Sequence, residues 1–253
     1  MGKLGIQLFS VWQYAEKDYL GTVEKLADLG YEGIQLFANF YNTSAVELKR
    51  LMDRKGVVPA GSHVSINQLQ GDRLEKTLEY HAEIDNKLLI CPALPEDMRK
   101  NADDYRKSAQ ILNQIGEKCK QNGFTFGYHN HAFEFKKIEE TTGFDLLFDQ
   151  TDPELVKIEL DCFWAIYAGF DPIQIIQKYK ERCVSLHMID YKLQDGKKVN
   201  TEIGDGLFNL GEIVQVAKNY NIPWFTIEQE YYENDPFESL KMNAKNMRDI
   251  LVE

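Results

Sequence analysis

The sequence predicts an α/β protein with a single (β/α)8 barrel over residues 1–253. Three observations predict it. Short apolar, β-prone runs alternate with longer amphipathic ones, eight of each, which is the signature of parallel βαβ units. The 253 residues match the roughly 250 that such a barrel needs. No Gly-x-Gly-x-x-Gly turn follows the first strand, so the rival doubly wound sheet lacks its phosphate-binding fingerprint.

In chain order, Gly5–Trp12 reads as strand one. Tyr19–Leu29 carries apolar residues at helical spacing and stops at Gly30. Gly33–Phe37 is strand two. Ser44 caps a helix that runs to Lys55 and ends at Gly56. Val57–Ser65 is strand three, Asp72–Asn86 a helix, and Lys87–Pro92 strand four, closed by Pro92 and Pro95. Asp103–Asn122 is a long helix. Thr125–His131 is strand five, followed by a short helix over Thr142–Phe148 and strand six over Val156–Phe163. Asp171 caps the next helix, with Pro172 at its first position. Cys183–Asp190 is strand seven, Phe208–Asn221 a helix, Trp224–Glu230 strand eight, and Pro236–Leu251 the closing helix.

Composition excludes several functions. The net charge of −11 argues against nucleic acid as a partner, because phosphate binding needs a basic face. No run of about 18 apolar residues exists to span a membrane. The opening Met1–Gly2–Lys3–Leu4–Gly5 enters a strand pattern without the apolar core of a secretory signal. Cys91, Cys119, Cys162 and Cys183 are widely spaced, as reduced thiols of a cytoplasmic protein would be. The oligomeric state is open; a homodimer is compatible with a barrel of this size.

Chemistry concentrates at four strand ends. Strand five ends in His129–Asn130–His131, and strand periodicity points both imidazoles the same way. Strand six ends through Glu159 and Asp161, strand seven through His187, and strand eight through Glu228 and Glu230. In a barrel these ends are consecutive neighbours on the rim that carries active sites. Imidazoles and carboxylates without thiolates make a site for one divalent cation: Mn²⁺, Co²⁺, Zn²⁺ or Mg²⁺. Asp161, His187 and Glu228 lead the candidate ligands, and His129 is the fourth. Glu159 shares a face with Asp161, as Glu230 does with Glu228, so either is a candidate to orient a ligand. Glu134 either reaches the site or sits on a loop. His131 and Glu230 are the candidates for acid/base work, being beside the ligands without leading that set. His63 ends strand three and is a candidate substrate contact. Trp12 and Trp164 each follow a strand end and offer an apolar wall to a sugar-like substrate. His81 lies on a helix and reads as a surface residue. The glycines of Gly204–Asp205–Gly206 either let backbone amides approach a polar ligand or make an ordinary turn.

Several stretches, taken together, resemble a known family. They are Gly5–Ile6–Gln7–Leu8–Phe9, Gly30–Tyr31–Glu32–Gly33–Ile34–Gln35–Leu36, Tyr128–His129–Asn130–His131–Ala132–Phe133–Glu134–Phe135, Leu160–Asp161–Cys162–Phe163–Trp164, Leu186–His187–Met188–Ile189–Asp190, Gly204–Asp205–Gly206 and Ile227–Glu228–Gln229–Glu230. In this order and spacing the chain resembles the sugar phosphate isomerase/epimerase group of xylose isomerase-like TIM barrels over essentially its whole length. The resemblance implies a divalent metal held by carboxylates and a His, here Asp161, His187 and Glu228. It also implies a small carbohydrate substrate. Many relatives place a Glu where this chain has His129, as a subgroup resembling inositol-pathway dehydratases does not. Gln35 stands where a Glu is common, Ile189 where a Lys is common, and Asn209 where an Asp is common. The implied activity is isomerisation or epimerisation of a keto-sugar or sugar phosphate through an enediolate. The alternatives are a dehydratase of a keto-inositol-like substrate and a non-catalytic sugar-binding barrel. A barrel related to metal-dependent AP endonucleases is opposed by the charge.

Overall fold

The structure is a computed structural model that describes residues 2–37, 40 and 42–252. Met1, with which the opening strand pattern was read, lies outside the described residues. Eight parallel strands close into a barrel in sequential order. They are β1 (Lys3–Gln7), β2 (Gly33–Phe37), β3 (Val58–His63), β4 (Leu88–Cys91), β5 (Thr125–His129), β6 (Lys157–Asp161), β7 (Cys183–Met188) and β8 (Trp224–Ile227). The outer helices are α1 (Tyr19–Asp28), α2 (Ala45–Lys55), α3 (Asp72–Glu83), α4 (Ala102–Gln121), α5 (Gly143–Asp149), α6 (Pro172–Tyr179), α7 (Leu210–Asn219) and α8 (Pro236–Val252). Among the described residues no helix is long and apolar enough to cross a membrane.

The helix boundaries follow local chemistry. The Ser44 hydroxyl accepts from the Glu47 N–H, and Gly56 closes α2 in the left-handed region at φ +69°. Asp171 accepts from the Ile173 N–H ahead of Pro172. Both match the sequence expectation.

The strand ends are shorter than expected, and side chains set where they stop. Strand one ends at Gln7 rather than Trp12: the Gln7 carboxamide accepts from the Phe9 N–H at 3.1 Å and starts a tight turn over Leu8–Val11. Strand six ends at Asp161 rather than Phe163. Its carboxylate accepts from the Trp164 N–H at 2.7 Å and caps a short helix over Cys162–Tyr167. Strands five, seven and eight likewise stop at His129, Met188 and Ile227, so His131, Glu228 and Glu230 sit just beyond regular pairing. Two hairpins were not expected: Lys137–Ile138 with Thr141–Thr142, and Asp190–Gln194 with Lys197–Thr201.

The Gly204–Gly206 turn binds a polar group of the chain itself. The Asp190 carboxylate accepts from the N–H of Gly204 and Gly206 at 3.1 Å each, and from those of Tyr191 and Phe208. A Cβ on Gly206 would run into that carboxylate, so the turn is structural.

Layers of side chains fill the barrel. At the floor the Trp224 indole lies across β1 and β2, and a Cβ on Gly33 would come within 2.5 Å of it. Above it Ser185 faces Thr226. Higher still the interior turns polar: Gln7, Gln35, Glu159 and His187 are fully or almost fully buried. The aliphatic core lies outside the strands, between sheet and helices.

Two buried polar groups hold this outer layer. Arg182 donates to the carbonyls of Val156, Phe148 and Thr151 at 2.8, 2.7 and 3.2 Å, and to the Thr151 hydroxyl. It ties the end of α5 to the start of β6. His81, read from sequence as a surface residue, is instead completely buried against the Phe40 and Tyr80 rings. Its Nδ1 is 3.0 Å from the Asn86 amide nitrogen. Helical periodicity places it on the inward face beside Leu74 and Leu78, and burial lowers its pKa to about 4.

Two outcomes follow. Arg182→Ala strands three buried carbonyls and lowers unfolding free energy by about 3 kcal/mol, read by urea denaturation with an unchanged slope. His81 titrates lower folded than unfolded, so the unfolded chain takes up the proton first. Its contribution is intact above the ordinary imidazole value of about 6.5 and is lost as pH falls towards about 4. His81→Gln therefore shrinks the stability difference between pH 7 and pH 4.5 by about 2 kcal/mol.

Candidate metal centre and active-site cavity

A cavity of about 390 Å³ opens at the C-terminal ends of the strands. Phe9, Phe37, Pro92 and Ala93 form its apolar wall. His63, His129, His131, Glu228 and Glu230, together with Ser65 and Gln68, form its polar lining.

The structure brings the four sequence-derived ligand candidates together. Donor atoms of His129, Asp161, His187 and Glu228 all lie within 4.8 Å of one another. The Asp161 Oδ2 is 3.9 Å from His129 Nε2 and 4.0 Å from His187 Nδ1, and the latter is 2.8 Å from Glu228 Oε2. Ligands at zinc-like bond lengths on a tetrahedron stand roughly 3.4 Å apart, so the spacing of this set is compatible with a divalent cation. Asn130 holds the two contributing strands in step. Its side chain accepts from the Asp161 N–H at 3.0 Å and donates to the Asp161 carbonyl at 3.2 Å.

Glu159 lies beneath these ligands and is fully buried. It contacts His63 Nε2 at 2.6 Å, His129 Nδ1 at 3.1 Å and His187 Nε2 at 3.1 Å. The Gln35 amide donates to its other oxygen. Burial works against its charge, but His187, His63 and the bond from His129 hold its pKa well below the usual range. Gln35 Oε1 in turn accepts from Gln7 Nε2 at 2.6 Å and faces His187 Nε2 at 2.7 Å. The sequence reading left out the Gln7 contribution. Its only signal was a pair of amides at matching strand positions that would ordinarily be aliphatic.

The electrostatics suit a cation. Burial raises Asp161 well above the usual carboxylate range, and Glu228 adds to this while His187 opposes it. Burial opposes charge on His187, yet Glu159 and Glu228 raise its pKa well above normal. Glu228 falls to about 2, because His187 outweighs its burial. Burial lowers His129 to about 3. Two carboxylates and two imidazoles thus face one point, and a divalent cation held there would favour the ionised form of both acids. The donor set therefore fits a metal.

The remaining candidates are placed as follows. His131 lines the cavity; burial lowers its pKa to about 4, and its Nδ1 is buried without a hydrogen-bond partner. Glu230 stands at the mouth, where partial burial and then Glu228 raise it to about 7. His63 lines the cavity through a ring whose Nε2 is already bonded to Glu159. Trp12 is apart from this cavity. It is 40% exposed, stacks near Phe9, and lines a smaller hollow of about 150 Å³ on the other side of Glu230. Trp164 does not line the cavity either, and packs 5.9 Å from the His131 ring. Glu134 is neither in the cavity nor on an exposed loop. It is buried, accepts from the Tyr128 hydroxyl at 2.5 Å and from the His131 N–H at 2.8 Å, and so fixes the turn that carries His131. The sequence reading missed Ser65, Gln68 and Ala93, which follow strand ends but carry no chemical signature of their own.

A family model described as the xylose isomerase-like TIM barrel matches residues 23–250. The chain belongs to this family. An inosose dehydratase of Bacillus anthracis is 26% identical, over 85% of this chain and 83% of the relative. A sugar phosphate isomerase/epimerase from Parabacteroides distasonis superposes with a TM-score of 0.84 at 25% identity, covering 98% of this chain and 96% of that one. The IOLI protein, whose crystal structure holds a zinc atom, superposes at 0.73 with 14% identity over 98% of each chain, a likeness of fold. In this xylose isomerase-like barrel the His, Asp, His and Glu donors thus sit where the fold concentrates its chemistry.

Loading the set must displace protons from His187 and Asp161. Zinc titration by calorimetry in buffers of different ionisation heat should show proton release at pH 7 and affinity that rises with pH. Asp161→Asn should bind far more weakly and release less.

Proposed function

We propose that this protein is a divalent-metal-dependent isomerase or epimerase of a small keto-sugar or sugar phosphate. The observation that carries the reading is the cluster of His129, Asp161, His187 and Glu228 donors, two of which, His129 and Glu228, line the cavity together with His131 and Glu230. When bound, a divalent cation there supplies a Lewis acid for a carbonyl and its neighbouring hydroxyl, favouring the enediolate. The chain's own groups handle the proton. His131 is neutral at pH 7, with its pKa lowered to about 4, and its ring lines the cavity, where it would take the proton α to the carbonyl. Glu230, raised to about 7, holds or gives up a proton near neutrality. Return of the proton to the adjacent carbon isomerises; return to the opposite face epimerises. Phe9 and Phe37 exclude water and offer a flat apolar surface to a sugar ring.

A second reading is favoured by the inosose dehydratase relatives. There the same proton abstraction is followed by loss of a β-hydroxyl, which Glu230 would protonate. This route suits two groups of unequal pKa.

The test is incubation of the metal-loaded protein with keto-sugars and keto-inositols in deuterated water. Deuterium at the α carbon with an isomeric product supports the first reading, and an absorbing enone product supports the second. His131→Gln should abolish exchange by about 100-fold or more while keeping its metal. Loss of metal in that variant would overturn its role as base. Saccharide binding without exchange at any metal loading would replace both readings with a binding protein.

A further inference from the structure

Two overlapping donor sets compete for the same imidazoles. The outer set is His129, Asp161, His187 and Glu228; the inner set is His63, His129, Glu159 and His187. In the inner set His129 offers Nδ1 and His187 offers Nε2, each 3.1 Å from Glu159 Oε1. In the outer set the same rings turn their opposite nitrogens to Asp161, at 3.9 and 4.0 Å. An imidazole nitrogen carries a proton or a metal, not both.

We propose that Glu159 is a positioning residue that decides this competition. It holds protons on His63 Nε2, His129 Nδ1 and His187 Nε2, and so commits His129 Nε2 and His187 Nδ1 to a cation in the outer set. The inference rests on the metal-dependent reading above, and it names which donors take the cation and why.

The hydrogen-bond accounting leaves one consistent arrangement. An ionised carboxylate only accepts, so all three imidazole nitrogens facing Glu159 must donate. The Gln35 amide fixes the rest. Its NH2 donates to Glu159, which turns its oxygen towards Gln7 Nε2 and His187 Nε2. His187 Nε2 therefore faces acceptors on both sides. A cation in the inner set would displace three N–H donors and meet the Gln35 NH2, which points hydrogens into that space and cannot coordinate. The outer set gives up a single imidazole proton, the one that His187 Nδ1 shares with Glu228 at 2.8 Å, and its other hydrogen bond is the one from the Trp164 N–H to Asp161. One carboxylate thus orients both imidazole ligands, as carboxylate–histidine–metal arrangements do. The same bond leaves His63 Nδ1 as a lone-pair acceptor on a ring that lines the cavity, suited to a substrate hydroxyl.

The wild-type protein tests this without substitution. Histidine-selective nitrogen NMR on the zinc-loaded protein should report Nε2–H on His63 and His187 and Nδ1–H on His129. Zinc bound with the opposite tautomer on His129 or His187 overturns the inference while leaving a metal site. Failure to bind zinc, with His129 still carrying its proton on Nδ1, instead removes the metal reading and leaves the orienting role of Glu159 supported. Variants then separate the sets. Glu159→Gln should weaken zinc about 10- to 100-fold and mix the tautomers of His129. Asp161→Asn should lose zinc with tautomers retained, and His63→Gln should keep zinc near wild-type affinity. Unchanged zinc affinity in Glu159→Gln, or loss of zinc in His63→Gln, overturns the inference.

Discussion

A carboxylate buried at the centre of the barrel sets the terms for everything above it. Glu159 has no exposed surface and receives hydrogen bonds from groups on β2, β3, β5 and β7. A buried charge is costly unless its partners are complete. The cost here is met by three imidazoles and an amide, and those partners are in turn immobilised. Strands that are neighbours only through the closed sheet become tied through their side chains. A polar network that is fully satisfied specifies one arrangement, and a partly satisfied one would favour several.

From that centre the site builds outward in order. The imidazoles of His129 and His187 are held from below, so their upper edges meet Asp161 and Glu228. Asn130 locks the ends of β5 and β6 together through paired backbone bonds. Glu134 and Tyr128 fix the turn that presents His131. Each of these supports is buried, whereas His131 and Glu230, the acid/base groups of the proposed reaction, line the cavity. Rigid supports below and a few adjustable groups above are what precise placement of a reacting atom requires.

The resulting ionisation pattern is graded. Glu159 and Glu228 stay ionised because His187 lies between them. Asp161 and Glu230 lie further from that positive charge and are raised. Acids a few residues apart in sequence thereby acquire different protonation preferences, through burial and neighbours rather than residue type.

Much of this was legible in the chain. The alternation of apolar runs determined eight strands and eight helices, because each element must bury one face and the period of that face reveals its type. Ser44, Gly56, Asp171 and Pro172 determined their helix ends, since caps act within a few residues. The order His129, Asp161, His187, Glu228 determined a rim of donors once the strands were taken as neighbours. Only the tertiary structure decided the rest. That His81 faces inward, that Trp12 and Trp164 stand away from the main cavity, and that Asp190 occupies the glycine turn depend on packing between distant segments. That Gln35 and His63 converge on Glu159, with Gln7 bonded behind Gln35, depends on closure of the sheet. Local sequence fixes backbone periodicity and caps, because those are short-range interactions. It cannot fix which side chains meet across a barrel, because that meeting is set by register and closure between distant strands, as for Gln35 and His187, 152 residues apart.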